Sequence, residues 1–496
     1  MRVYLLNPPF IPRFVRCGRW QGGVARGATL YYPIWLSYAT GVLENEFGKR
    51  VRLVDAPAWK WDREDVINDV SHFKPDLIVV DTNFSSLQND IEVASDLKRV
   101  KEEASTIMVG PPTSQFSEKI LKNPHIDAVA RFEYDFTVRD FAKALQDDAG
   151  IECIPGLSYR EDSKIVHNVK RPYLGTEDLD TIPFVSRVYH EHLNVLDYFL
   201  SHTLNPMVQI FTSRGCPNQC IFCGWPVTLT GRQHRVRSVE NVADEFDFIA
   251  NTMPEVREIF LEDDTFTMNK ARIRDFCEEI NDRDLRMTWS CNARATLDYE
   301  SMRIMKKAGC RLLDVGFESG SDEILRNIKK RITTNESRRF ARDARKARLM
   351  VLADVIIGMP GETKETAEQT IRFVKEIKPN IVQFAVATPL PGTEFYKWVK
   401  EHGFLLVDDL TESLTRNGFQ KCIVSYPGLS SEDIEHFVDR GLKEYYLTPS
   451  YIPTALRNVI RKNGSNELIG MLKSARLFLD YLHKPDEPGE EEHATH

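Results

Sequence analysis

Two separate series of short, apolar, β-branched runs govern what this chain can fold into. The first comprises VYLLN (3–7), VRLVDA (51–56), LIVVDT (77–82), TIMVG (106–110) and DAVARFE (127–133), separated by helix-patterned stretches. Runs this apolar have no polar side to turn to water, so each strand needs cover on both faces, as helices give a parallel sheet. The second series comprises VQIFTS (208–213), EIFLEDD (258–264), MTWSCNA (287–293), LLDVGFES (312–319), ADVIIGMP (353–360) and VQFAVATP (382–389). Six βα units over ~190 residues are too few for the eight-unit barrel and read as an open, partial one. The fold class is therefore α/β. A doubly wound, Rossmann-like domain is expected over 1–145, a connector over 146–205, a partial (βα)6 barrel over 206–400 and a helical region over 401–483. The acidic, Pro/Gly-bearing tail at 484–496 reads as disordered.

Composition removes several functions. Lys+Arg 65 against Asp+Glu 73 leave a net charge of −8, unsuited to gripping a phosphate backbone, so no nucleic-acid partner is expected. No Gly-x-Gly-x-x-Gly follows a strand of the first series, which argues against a dinucleotide. Nine cysteines, six of them scattered singly, are no disulfide framework. The N-terminus MRVYLLNPPFIPRF lacks the apolar run of a signal peptide, and no stretch approaches 18 uninterrupted apolar residues, so a cytoplasmic location is expected. The segments IPTALRNVIRK and NELIGMLKSARLFLDYLHK mix apolar and basic residues. They read as helices on the barrel, with a peripheral membrane contact as the other reading.

Both architectures place ligands at strand carboxyl ends. Directly after the first strand of the second series stands Ser213-Arg-Gly-Cys216-Pro-Asn-Gln-Cys220-Ile-Phe-Cys223. Thiolates are soft ligands for iron–sulfur centres or zinc, and this Cys-x3-Cys-x2-Cys spacing wraps one compact site. Three thiolates occupy three corners of a [4Fe-4S] cube and leave the fourth iron open to a non-protein ligand. Zinc completed by Cys291 or His234 is the alternative, although zinc motifs more often pair Cys-x2-Cys twice.

The remaining strand ends carry Glu262-Asp263-Asp264-Thr265, Asn292 with Arg294, Gly316-Phe317-Glu318-Ser319-Gly320, Ile356-Ile357-Gly358 and Thr388-Pro389-Leu390-Pro391-Gly392. In register with the triplet, these resemble the radical S-adenosylmethionine (radical SAM) superfamily. The resemblance implies that Cys216, Cys220 and Cys223 are the metal ligands and the catalytic centre. It also implies that SAM chelates the open iron and is cleaved to a 5′-deoxyadenosyl radical. Phe222 would pack near adenine, Glu262 and Asp263 would meet the amino group or face substrate, and Asn292 and Arg294 would take the methionine carboxylate. Glu318 would accept from the ribose, and Ile356, Gly358 and Pro389 would flank the adenine side.

The first domain resembles the cobalamin (B12)-binding domain of one large radical SAM class, on Asn7-Pro8-Pro9, Tyr32-Pro33-Ile34-Trp35-Leu36, Gly110-Pro111-Pro112-Thr113 and Glu133-Tyr134-Asp135. The implied cobalamin contacts are Asn7, Pro8, Ser85, Ser86, Gly110, Pro111, Thr113 and Glu133. The chain departs from common members at Gly110-Pro111-Pro112 and Phe132-Glu133, and its His72 and His125 lack an Asp-x-His-x-x-Gly context, so no histidine would sit beneath cobalt.

Within this class the chain is most similar to hopanoid-biosynthesis-associated radical SAM proteins, on Tyr-Pro-x-Trp-Leu (32–36), Val54-Asp55-Ala56-Pro57, Glu133-Tyr-Asp-Phe-Thr137, Cys223-Gly-Trp225-Pro226 and Asp263-Asp264-Thr265. The implied activity is radical remodelling of an unactivated substrate, in the form of cyclitol ring formation on a lipid-linked sugar or polyol. A small-molecule or lipid-headgroup substrate and a flavodoxin- or ferredoxin-type electron donor follow as partners. The alternatives are a cobalamin-dependent C-methyltransferase, a Mg-protoporphyrin ester cyclase-like enzyme, and a non-catalytic metal- or corrinoid-binding module. Trp225, Trp289 and Phe317 either line a cavity or belong to the core.

Overall fold

In the computed structural model, residues 1–16, 22–25, 27, 29–162, 164–454 and 456 are described. Cys17, the helices expected beyond residue 456 with their membrane contact, and the tail at 484–496 lie outside the described residues.

The first series forms β1 (Val3–Asn7), β2 (Val51–Asp55), β3 (Leu77–Asp81), β4 (Ser105–Val109) and β5 (Ala128–Ala130), parallel in the order β2-β1-β3-β4-β5. All five residues of β1 and of β3 are buried, as their lack of a polar face requires. The run expected at 127–133 contributes only three strand residues. Phe132 turns the chain at φ +62, and the helix Asp135–Gln146 starts three residues on. Residues expected as connector supply β6 (Leu157–Glu161) and β7 (Lys164–His167), an antiparallel hairpin that extends this sheet to seven strands.

The second series opens with β8 (Met207–Ile210). A two-residue ladder follows, β9 (Ser213–Arg214) against β10 (Arg235–Val236). Then come β11 (Glu258–Leu261), β12 (Thr288–Ala293), β13 (Cys310–Glu318), β14 (Met350–Ile357) and β15 (Ile381–Val386). With β8 these form six parallel strands, ordered β8-β11-β12-β13-β14-β15. Side chains alternate between the two faces. Leu313, Val315, Phe317, Ala353 and Val355 are fully buried on the outer face, under the helices. Asn292, Asp314, Gly316, Asp354 and Gln383, one register row apart on the inner face, stay partly accessible. Leu312, Met350, Leu352 and Ile381 cluster at the foot of the barrel.

Two features join the halves. Helix Ile34–Phe47 is buried along most of its length, and Tyr32 is stacked between Tyr189 and Tyr198, at 4.1 and 3.8 Å between centroids. The region after 400 is not helical from its start. Residues 404–429 form an irregular strap held by isolated bridges such as Leu405 with Val424. The helix Ser431–Tyr446 then packs on β15. Gly418, Pro427 and Gly428 interrupt any helical period across the strap. Among the described residues no helix is long and apolar enough to cross a membrane.

Candidate active site at the strand ends

The cysteine loop is built from β11 backwards. Asp263, fully buried, accepts from the Thr212 and Ser213 amides at 2.6 and 3.1 Å and from their hydroxyls at 2.6 and 2.7 Å. Asp264 accepts from the Gly215 amide at 2.8 Å. Gly215 stands at φ +86, and a Cβ there would lie 2.1 Å from the Gln233 carbonyl oxygen, so the turn into Cys216 admits glycine alone. At the far end the Ile221 amide donates to the Ile328 carbonyl at 3.2 Å. Arg232 donates to the Asn218 carbonyl, and the Asn218 amide reaches the Cys216 sulfur at 3.2 Å.

Cys216 and Cys220 are buried and Cys223 is half-buried, and none of the three is in a disulfide. A single zinc ion with Zn–S bonds of ~2.3 Å draws its sulfurs to within about 4 Å of one another. Among the described residues, the trio of metal-type ligand atoms lying mutually within 4.8 Å is Glu44, Glu191 and His192, not the cysteines. Cys291 lies on the outer face of β12, fully buried, where burial and then Cys310 push its thiol upward. It cannot serve as a fourth zinc ligand at the loop. Three thiolates on one tight loop fit an iron–sulfur cube.

From this loop an arc of polar contacts follows the strand ends. The Asn292 amide donates to the Asp263 carbonyl at 3.1 Å, and Arg294 donates to the Lys330 carbonyl at 2.6 Å. Lys330 in turn pairs with Glu318 Oε1 at 2.6 Å. Glu318 Oε2 is buried and has no hydrogen-bond partner. A Cβ at Gly316 would lie 2.2 Å from Glu318 Oε1. An orphaned carboxylate oxygen beside a glycine cradle fits the ribose of SAM. Two of the expected contacts have protein partners. Asp263 has both oxygens engaged by the cysteine loop and so holds the loop, and Glu262 accepts from Gln209 at 2.8 Å. Phe222, Ile356 and Pro389 are buried along the same rim, and Gly358 stands at φ +100. Trp289 and Phe317 are fully buried core residues.

The cobalamin side departs further from expectation. Gly110 and Pro111 line a cavity with Arg16, Trp35, Asp81, Tyr134, Trp225 and Leu229. A Cβ at Gly110 would meet the Thr82 carbonyl oxygen at 2.3 Å, Trp35 Nε1 is buried without a partner, and burial pushes Asp81 up to about 7. An indole N–H and a carboxyl are thus enclosed together at one small cavity beside the strand ends, a donor and an acceptor for polar groups of a ligand. The other expected contacts have protein partners. Asn7 donates to Asp55 and accepts from Arg16, and Ser86 donates to Asp90. Ser85 lies against Ser413, and the Thr113 hydroxyl lies 2.8 Å from the Gly110 and Ala130 carbonyls. Glu133 forks with Arg235 at 2.7 and 2.8 Å. Pro8 is buried. Short polar side chains beside strand ends cap local backbone as readily as they bind ligands.

Sequence reading missed Trp35, Asp81, Asp135, Arg214, Asp314, Lys330 and Asp354. The charges at Asp314 and Asp354 had a local signal, since each interrupts an otherwise apolar strand. For Asp135 and Arg214 no local pattern exists.

Known proteins agree with this geometry. The Radical SAM superfamily model matches residues 210–374, and the B12 binding domain model matches residues 21–142. An uncharacterized methyltransferase of Pyrococcus horikoshii is 30% identical over 434 residues, covering 87% of this chain and 91% of that one. A hopanoid C-3 methylase of Methylococcus capsulatus is 26% identical over 362 residues, covering 70% of this chain and 65% of that one. The structure of the radical SAM methyltransferase TsrM from Kitasatospora setae, with cobalamin and [4Fe-4S] cluster bound, superposes with a TM-score of 0.69 at 16% identity. It covers 97% of this chain and 99% of that one, which shows the shared fold. A [4Fe-4S] cluster, SAM and cobalamin are accordingly the cofactors. The chain belongs to the radical SAM superfamily, in the class that carries a B12-binding domain, and is a cobalamin-dependent radical SAM enzyme.

Proposed function

We propose that this enzyme remodels the carbon framework of a hydroxyl-rich substrate, the sugar or polyol headgroup of a lipid, in the manner of cyclitol ring formation. The inner face of the barrel carries the reading. Asn292, Asp314 and Asp354, half-buried, and Gln383, exposed, share one face, where a packed barrel would present branched aliphatic residues. Burial, and then Asp314, raise the Asp354 carboxyl, which favours a proton shared between the two. Such a pair both donates and accepts, as adjacent hydroxyls require.

When bound, the cluster and SAM supply a 5′-deoxyadenosyl radical that takes a substrate hydrogen, and cobalamin supplies a second reactive centre. The chain's own residues orient these groups. Asp263 and Asp264 fix the cysteine loop, Arg294 and Lys330 brace Glu318 for the ribose, and the inner-face amides and carboxyls hold substrate hydroxyls near the strand ends. The reading calls for a low-potential flavodoxin- or ferredoxin-type donor and for access to a membrane surface. Methyl transfer to the same kind of carbon is a second reading, supported by the relatives described as a methyltransferase and a methylase.

Anaerobic reconstitution followed by SAM cleavage under reductant, with lipid extract from a deletion strain, tests both. Remodelling yields deoxyadenosine and a product with no added carbon. Methylation yields S-adenosylhomocysteine and a product one CH2 heavier. Bound zinc in place of iron, or no deoxyadenosine, would overturn both readings.

A further inference from the structure

We infer that Asp135 and Arg214 form a positioning fork that sets the cysteine loop at a fixed distance and angle from the B12-binding domain. Arg214 precedes Cys216 by two residues and donates to both oxygens of Asp135, at 2.8 and 3.2 Å. The two side chains are only 2% and 1% exposed. Asp135 is the first residue of the helix Asp135–Gln146, where the amide ends of the helix favour a carboxylate. A planar guanidinium held at two points fixes orientation as well as separation, which a single contact cannot do.

Three further contacts make the fork a register device. The Arg214 guanidinium lies over Trp35 and Tyr38, at 4.7 and 5.1 Å from the ring centroids, both on helix Ile34–Phe47. The partner strand of the two-residue ladder is gripped in parallel, because Arg235 forks with Glu133. Both strands at the base of the cysteine loop are thus held by acids two residues apart on one domain. Trp35 also lines the cavity that contains Gly110, Asp81 and Trp225, and Trp225 follows Cys223 by two residues. One guanidinium therefore touches the wall of the B12-side cavity while sitting two residues along the chain from a cluster ligand. A buried ion pair adds little net stability over an apolar pair of the same shape. Its distinctive contribution here is register between the two cofactor sites.

The inference rests on the reading that the cluster and cobalamin act together, and its test separates the two. Holoenzyme loaded with cluster and cobalamin is partly reduced, and spin relaxation of cob(II)alamin by the reduced cluster is read by EPR, which depends steeply on their separation. Wild type shows the enhancement. Asp135→Asn and Arg214→Lys keep full iron and cobalamin content, yet the enhancement changes by about two-fold or more, since shifts of ~1 Å are functionally large. If Asp135→Asn fails to hold its cofactors, the paired D135N/R214Q variant, which leaves no lone buried charge, decides in its place. Variants with wild-type enhancement would overturn the fork's role. Wild type holding both cofactors without any enhancement would instead overturn the two-cofactor reading.

Discussion

Glu318 is held at φ +66, a left-handed conformation that costs a side-chain-bearing residue ~1–2 kcal/mol. The fold sustains it because Lys330 pins one carboxylate oxygen and leaves the other bare inside the site. Charge-assisted hydrogen bonds contribute ~1.5–3 kcal/mol each. Glu318→Gln should therefore raise the KM for SAM in deoxyadenosine formation about ten-fold, with the iron content unchanged. An unaltered KM removes Glu318 from the ribose site. Cys220→Ala should abolish the cluster absorbance and SAM cleavage together, and survival of either refutes its role as a ligand. The cysteines were readable from sequence because their ligand geometry is set by spacings of a few residues. The loop-holding role of Asp263 was not readable for the opposite reason: a carboxylate after a strand looks the same whether it faces a cofactor or caps the neighbouring loop.

The loop at 212–223 and the turn after β14 are small elements governed by one carboxyl each. Asp263→Ala leaves two buried amides and two hydroxyls without their acceptor, at ~1–3 kcal/mol per unmade bond. We expect lower cluster loading together with a lower Tm, and a variant that loads iron normally would contradict the loop's dependence on Asp263. In the turn after β14, Glu362 accepts from the Gly358 and Met359 amides at 2.7 and 3.2 Å. Burial pushes it up from 4.5 to about 7. A carboxyl raised by folding binds its proton more tightly in the native state, so stability is full below the unfolded value and falls as pH rises toward 7, levelling above it. The span corresponds to roughly 3 kcal/mol. Urea unfolding from pH 4.5 to 8 should show this decline in wild type and a flatter profile in Glu362→Gln. Identical profiles would remove Glu362 as the cause. The turn's Gly358 was legible as part of a strand-end motif. The turn's buried acid was not, because burial belongs to the packed structure.

Across the whole molecule the two α/β halves share one apolar interior. Residues of β1, of helix Ile34–Phe47 and of the barrel strands belong to a single core cluster, and the Tyr38 hydroxyl accepts from the Phe211 amide at 2.8 Å across the junction. Tyr32→Ala removes the middle ring of the Tyr189–Tyr32–Tyr198 stack, and large-to-small changes at aromatic core sites cost ~3–5 kcal/mol. Calorimetry of the apo-protein should then show one transition shifted downward as a unit. A B12-binding domain melting separately from the barrel would contradict the shared core.

By itself the sequence determined the two βα series, the strands within a few residues, the open barrel and the thiolate triplet. Each rests on periodicity or spacing within a short window, where backbone geometry is the dominant constraint. Only the tertiary structure decided what distant charges do. Glu133 is expected only as a cobalamin contact and Asp135 only as part of a motif, and it is the fold that brings them to Arg235 and Arg214, some 80 to 100 residues away in the chain. The same holds for Asp314 and Asp354, each a lone charge in an apolar strand until the parallel register sets them on one face of neighbouring strands. Burial and long-range electrostatics are sums over the folded molecule, and no local pattern in the chain encodes them.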